Sequence, residues 1–219
     1  LAAIRLRKFW RIGDLPIESV VDLIEDHGGV VVEYPHESDE FHGLSGWTNN
    51  KYPVVVVNGA APADRKRFSL AHELGHLMMD CGAVDVKTEE SLAQRFAAAF
   101  IAPPAVVFRE LGERRKNLGF HELAVLKEKH GLSIQAWIRR AFDLGIIDEG
   151  LCRMLFVQFG SRGWRKKEPF EFKGEERPRK LRLMTLRALA EGIITPAKAE
   201  ALCPGCLETV FDTNAGRKD

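Results

Sequence analysis

Asp64-Arg65-Lys66-Arg67-Phe68-Ser69-Leu70-Ala71-His72-Glu73-Leu74-Gly75-His76-Leu77 places apolar residues at helical spacing (Phe68, Leu70, Ala71, Leu74, Leu77) and two histidines four apart. The pattern predicts one helix that starts near Asp64, runs through Met78 and stops by Gly82. Positions i and i+4 lie about 40° apart around an α-helix, so His72 and His76 project from one face and can hold one cation. Glu73 stands one step round from His72, close enough for its carboxylate to reach metal-activated water without being a ligand. These are the parts of metal-assisted hydrolysis. The cation lowers the pKa of water from about 15.7 toward about 7 and polarises the scissile carbonyl, while Glu73, as general base, takes the proton and passes it to the leaving amine. A charged helix can carry the same run as a hydrogen-bonded histidine pair. A largely apolar helix, however, must supply a partner for each histidine and for the glutamate it buries. Gly75 keeps side-chain bulk away from the metal position.

A catalytic zinc needs a third protein ligand and an open fourth position. Glu89 and Glu90 are the natural candidates, because they open the next predicted helix, residues 89–102, which stops at Pro103-Pro104. Glu90 shares a face with Ala93, Gln94 and Ala97, and the two alanines let the helices approach closely. Acidic residues in a first helical turn are also ordinary helix chemistry, so spacing leaves the choice between Glu89 and Glu90 open. Asp80, Cys81 and Asp85 are weaker candidates.

Upstream, residues 16–27 read as a short helix with proline in its first turn and a Gly28-Gly29 stop. Val30-Val31-Val32-Glu33-Tyr34 is a strand. Residues 42–47 and 52–58 are strands flanking Thr48-Asn49-Asn50-Lys51, whose Asn pair suits a tight turn. The expected class is therefore α+β: a small antiparallel sheet packed on the motif-bearing helix pair, followed by a mostly helical C-terminal part. Residues 121–130 and 133–144 have helix-turn-helix spacing, with Gly131 as a stop and Ser133 as an N-cap. The second of these helices offers only Arg139 and Arg140 among Ile134, Trp137, Ile138 and Phe142. Packing is the stronger reading there and DNA contact the weaker. Residues 161–180 are dense in charge and hold Gly163, Pro169, Gly174 and Pro178, which predicts an exposed, irregular connection. Residues 181–190 and a short helix opened by Thr195-Pro196 follow. Cys203-Pro204-Gly205-Cys206 has the spacing of half a zinc knuckle or of a redox pair, but one pair alone favours an ordinary turn.

Lys plus Arg (32) balance Asp plus Glu (31) over 219 residues, so a net charge of +1 gives no overall pull toward nucleic acid or an anionic membrane. Four scattered cysteines argue for a reducing interior, and a cytoplasmic location is expected. No apolar run reaches transmembrane length and no signal pattern opens the chain, so no membrane partner is expected. The chain begins at Leu1 inside what reads as a basic amphipathic helix, residues 1–10, which leaves room for an upstream piece. His27, His36, His42, His121 and His130 have no spacing partner and read as surface or structural. One of them, or Tyr34 or Tyr52, could stabilise an oxyanion.

The run from Asp64 to Leu77, with the strand of residues 53–58 before it and Glu90-x-x-Ala93-Gln94-Arg95-Phe96-Ala97 after it, resembles the ImmA/IrrE family of zinc peptidases. The resemblance covers roughly residues 10 to 170 and is tightest at the histidine motif. Leu92, Gln94 and Ala102-Pro103 depart from the family's pattern, and none is a proposed ligand. The resemblance implies that Glu90 is the third ligand, so that His72, His76 and Glu90 hold zinc, or alternatively manganese, in a gluzincin-like set beside Glu73. The chain is then expected to divide into a zincin-like metallopeptidase domain over 1–115, a helix-turn-helix-like segment over 116–160, and a charged connection with C-terminal helices over 161–219. Members of the family cleave, or promote inactivation of, helix-turn-helix repressors often encoded beside them, and some carry an N-terminal DNA-binding domain. The expected function is thus a zinc-dependent endopeptidase acting on a repressor-like protein substrate. Its rival is a metal-binding regulatory or antitoxin-like protein that acts by protein or DNA binding without proteolysis. Intact His72, Glu73 and His76 weigh against that rival.

Overall fold

A computed structural model of the protein describes residues 2–36, 41–82, 84–165 and 167–207. The chain opens with α1 (Ala2–Phe9) and α2 (Val20–Asp26), then β1 (Val30–Tyr34), β2 (Gly43–Thr48) and β3 (Tyr52–Asn58). Next come α3 (Ala63–Met78), α4 (Val86–Ile101), α5 (Pro104–Leu111), α6 (Phe120–His130), α7 (Ile134–Asp143) and α8 (Glu149–Ser161), and finally α9 (Lys180–Ala190) and α10 (Pro196–Leu202). The class is α+β, as the patterning predicts. Among the described residues no single helix is long and apolar enough to cross a membrane.

The sheet departs from the expected antiparallel arrangement. Its order is β1-β3-β2, with β3 antiparallel to β2 but parallel to β1, in the register Val30↔Val54 to Tyr34↔Asn58. The reason lies in β3. Its run Val54-Val55-Val56-Val57 is the most apolar of the three strands, with Val55 and Val57 buried and Val54 and Val56 half-buried, which suits a strand paired on both edges. β3 therefore takes the centre and β1 joins its far edge. The β2–β3 hairpin closes through Asn49 and Asn50, both at positive φ (53° and 51°), with Lys51 N–H donating to the Thr48 carbonyl. Asparagine tolerates that region, so the Asn pair sets the turn.

α2 is shorter than its sequence pattern. It begins at Val20 with Ser19 as N-cap, and Pro16 lies outside it. The carbonyls of Ile17 and Glu18 are taken by the Arg67 guanidinium, and the amides of Val20 and Val21 by the Glu176 carboxylate. With their backbone groups engaged elsewhere, Ile17 and Glu18 stay outside the helix.

The connection after α8 is irregular, as expected, but it is not simply exposed. Glu176 is buried and Glu168 nearly so. Glu168 accepts from the amides of Ile134 and Gln135 at the α7 N-terminus, and Glu25 from α2 accepts from Arg179 and Lys180 at the α9 N-terminus. A density of carboxylates predicts solvent exposure only when solvent is their best partner. Here helix N-termini, with unpaired amides and a positive end, satisfy them instead.

One hydrophobic core links Ala3 in α1 with the sheet, α3, α4 and the helices through Phe159 in α8. Trp137 and Ile138 of α7 are fully buried in it, and Arg140, whose Nε donates to the Ala102 carbonyl, is also buried. Arg139 is exposed and pairs with Asp143. His130 closes α6 against Trp137, its Nε2 3.4 Å from Glu110 and its Nδ1 without a partner. Burial, opposed by the Glu110 carboxylate, pushes the His130 imidazole below its ordinary value of 6.5. The unfolded chain then binds a proton near pH 6.5 that the folded chain refuses. Stability is therefore complete above that pH and is lost as the pH falls toward the folded value. Urea midpoints at pH 7.5 and pH 5 are expected to differ less in His130→Gln than in the wild type.

Candidate active site

α3 and α4 pack side by side, and Gly75 lets them do so. A β-carbon at Gly75 would lie 3.1 to 3.3 Å from three atoms of the Phe96 side chain on α4. The bulk that Gly75 avoids is thus the aromatic ring of the neighbouring helix, and not a group at the metal position. Gly75→Val is expected to cost about 1–3 kcal/mol by overpacking. It would also separate the helices, which a fall in Tm together with weakened zinc binding would reveal.

That close approach brings His72 and His76, both half-buried on α3, against Glu90, half-exposed on α4. His72 Nε2 lies 3.1 Å from Glu90 Oε2, His76 Nε2 3.4 Å from Glu90 Oε1, and the two Nε2 atoms 3.1 Å from each other. Among the described residues these three form the one His/Cys/Asp/Glu group whose ligand atoms all fall within 4.8 Å of one another. Two imidazole nitrogens cannot both point a proton at each other across 3.1 Å, and the carboxylate brings only acceptors. A single cation at the point of convergence satisfies all three, and the set of two nitrogens and one carboxylate suits zinc. Burial, despite Glu73 and Glu90 nearby, holds the His72 imidazole below its ordinary value, in the neutral form that a metal ligand needs.

Glu89 and Glu90 are separated by geometry where spacing left them equal. Glu89 Oε1 lies 3.2 Å from His76 Nδ1, on the side of the ring away from His72. A carboxylate there fixes the proton on Nδ1 and leaves the Nε2 lone pair facing Glu90. The weaker candidates sit elsewhere: Asp80 accepts from the Gly82 amide, and Asp85 caps α4 through Thr88.

Glu73 is buried behind the histidines, and here the structure adds residues that the motif did not indicate. Ser45 on β2 donates its hydroxyl to Glu73 Oε2 at 2.8 Å. Gly43, two residues earlier on the same face, gives the carboxylate room: a β-carbon there would lie 3.1 Å from Glu73 Cγ and 3.0 Å from the Val56 carbonyl. Small residues alternating at positions 43 and 45 of a predicted strand were the available signal. His42 lines the same cavity, of about 480 Å³, with Gly43, His72, Glu73 and Glu90. Of the other histidines, His27 stacks on Trp10, His36 meets Tyr34 and Phe41, and His121 meets Phe170. Tyr52 packs under Lys51 at the hairpin. Cys203 and Cys206 are free thiols, with Cys206 buried.

A buried carboxylate beside a convergent His/His/Glu group, open to a cavity, is the arrangement of a metal-dependent hydrolase. Residues 24–142, more than half of the chain, match the family model of peptidase family M78, described as the IrrE N-terminal-like domain. The chain belongs to that family and is a peptidase-like enzyme. A search of curated proteins finds no match.

Proposed function

We propose that the protein is a zinc-dependent endopeptidase and that its substrate is a helix-turn-helix repressor-like protein. The observation that carries the chemistry is the convergence of His72 Nε2, His76 Nε2 and the Glu90 carboxylate beside buried Glu73. In this reading His72, His76 and Glu90 hold the zinc, and Glu89 orients His76. Zinc, when bound, acts as a Lewis acid toward the peptide carbonyl and makes water acidic enough to lose a proton near neutral pH. Glu73, held by Ser45, accepts that proton at its carboxylate and returns it to the nitrogen of the departing strand. The edge strand β2 begins at the same cavity with Gly43 and can align an extended peptide by backbone hydrogen bonds. Family membership favours a repressor as substrate.

Incubating the zinc-loaded protein with the helix-turn-helix repressor encoded beside it is expected to yield two defined fragments, and none after chelation. An intact repressor in both reactions would sink the substrate assignment. For the ligands, metal analysis is expected to find one zinc per chain. Glu89→Gln should weaken binding about 10- to 100-fold, as loss of an outer hydrogen bond does, and His76→Ala or Glu90→Ala should weaken it further. Full affinity in Glu90→Ala would remove Glu90 as the third ligand.

A further inference from the structure

Three cavities share walls along α3. The one at His72 and Glu73 is also walled by Arg65 and Phe68. Arg65 and Ser69 border a smaller one of about 130 Å³. Arg65 and Phe68 pass on into a third, of about 510 Å³, between the first turn of α3, the α6–α7 turn, Arg165 and residues 167–172. The catalytic chemistry makes no use of this third cavity. Phe68, Phe170 and Phe172 give it apolar walls. Lys127 in its wall is already engaged, with Nζ 2.8 Å from Asp64 and 3.1 Å from Glu168. Arg165 and Lys167 also line it, and neither makes an ion pair among the described residues. Among the described residues the lining carries four cations, Arg65, Lys127, Arg165 and Lys167, against three carboxylates, Asp64, Glu168 and Glu171, a surplus of one positive charge.

We propose that this cavity is a subsite of the substrate cleft that anchors an acidic side chain of the polypeptide, two to four residues from the scissile bond. The proposal rests on the peptidase reading and names a feature of its substrate. Aromatic walls take the methylenes of Glu or Asp, and Arg165 and Lys167, at the end of the cavity that carries the surplus positive charge, take the carboxylate. The spacing follows from the helix. At about 1.5 Å per residue Phe68 lies about 6 Å and Asp64 about 12 Å along α3 from His72, and an extended peptide covers about 3.3 Å per residue. The cleft thus reads the substrate at two separated points, a bond at the His72 end and a charge at the Arg165 end.

The test uses zinc-loaded protein and alanine-based peptide hydroxamates, with the chelating group at either end and one glutamate walked one to six residues from it. Affinities are measured by titration calorimetry. Glutamate at two to four residues is expected to bind about 10-fold tighter than glutamine at the same place. That gain should vanish in Arg165→Gln/Lys167→Gln and grow in Glu171→Gln, while the all-alanine hydroxamate binds every variant alike, which also reports that each is folded. Equal affinity for glutamate and glutamine at every position would overturn the proposal, as would a preference that none of these substitutions alters. Failure of every hydroxamate to bind would instead sink the metal reading beneath it.

Discussion

Glu176→Ala is expected to destabilise the protein by about 3–5 kcal/mol and to lower Tm by on the order of 10 °C. Glu176 Oε1 lies 2.6 Å from Arg67 Nη1, and both side chains are completely buried. The same carboxylate accepts from Val20 N–H and Val21 N–H at 2.9 Å, so it caps α2 while it neutralises α3. Burial drives the Arg67 guanidinium below its ordinary value, and Glu176 opposes that shift. Without Glu176, Arg67 keeps its charge among apolar neighbours, with the Ile17 and Glu18 carbonyls and the face of the Phe172 ring for partners. Two amides at the start of α2 lose theirs as well. Removing both charges as Arg67→Met/Glu176→Leu should be milder than removing Glu176 alone, because no buried ion is then left unpaired. Urea denaturation of the two variants checks this order. A Glu176→Ala protein within 1 kcal/mol of the wild type would mean that the segment after α8 does not seat where it is placed.

That contact also marks the limit of what is legible along the chain. His72, Glu73 and His76 could be read directly because one helix turn relates them, and helix geometry is local. Spacing narrows the third ligand only to a pair, since Glu89 and Glu90 are equally good in a first turn, and it is the family resemblance that favours Glu90. The distinction between them is made by which ring nitrogen of His76 each one meets. Arg67 and Glu176 are 109 positions apart, and nothing in a charged, glycine- and proline-bearing stretch reveals that one of its glutamates will seat at a distant helix N-terminus. The order of the strands was hidden for a related reason. Val30-Val31-Val32 and Val54-Val55-Val56-Val57 are both good strands, and only the need to cover β3 on both edges decides which is central. Local periodicity thus defines the elements and the motif. The pairings that depend on long-range competition for backbone amides and sheet edges are settled in three dimensions.

Ser45 extends the same point to catalysis, because it reaches Glu73 across 28 positions and no motif includes it. It bears on the second large effect, Glu73→Gln. Glutamine matches glutamate in size, and its amide oxygen can still accept the Ser45 hydroxyl, so the substitution should leave the helix, the cavity and zinc stoichiometry intact. What it removes is the ability to take a proton. General-base catalysis contributes about 10²- to 10⁴-fold, so kcat for cleavage of the repressor is expected to fall about 10³-fold, equivalent to about 4 kcal/mol of barrier, with KM little changed. Ser45→Ala should cost much less, about 10-fold, because the carboxylate survives but is less well held. The two variants together separate proton transfer from placement. Cleavage by Glu73→Gln at the wild-type rate, with one zinc bound, would exclude Glu73 as the base and would shift attention to His42, a histidine that lines the cavity without belonging to the His72, His76 and Glu90 group.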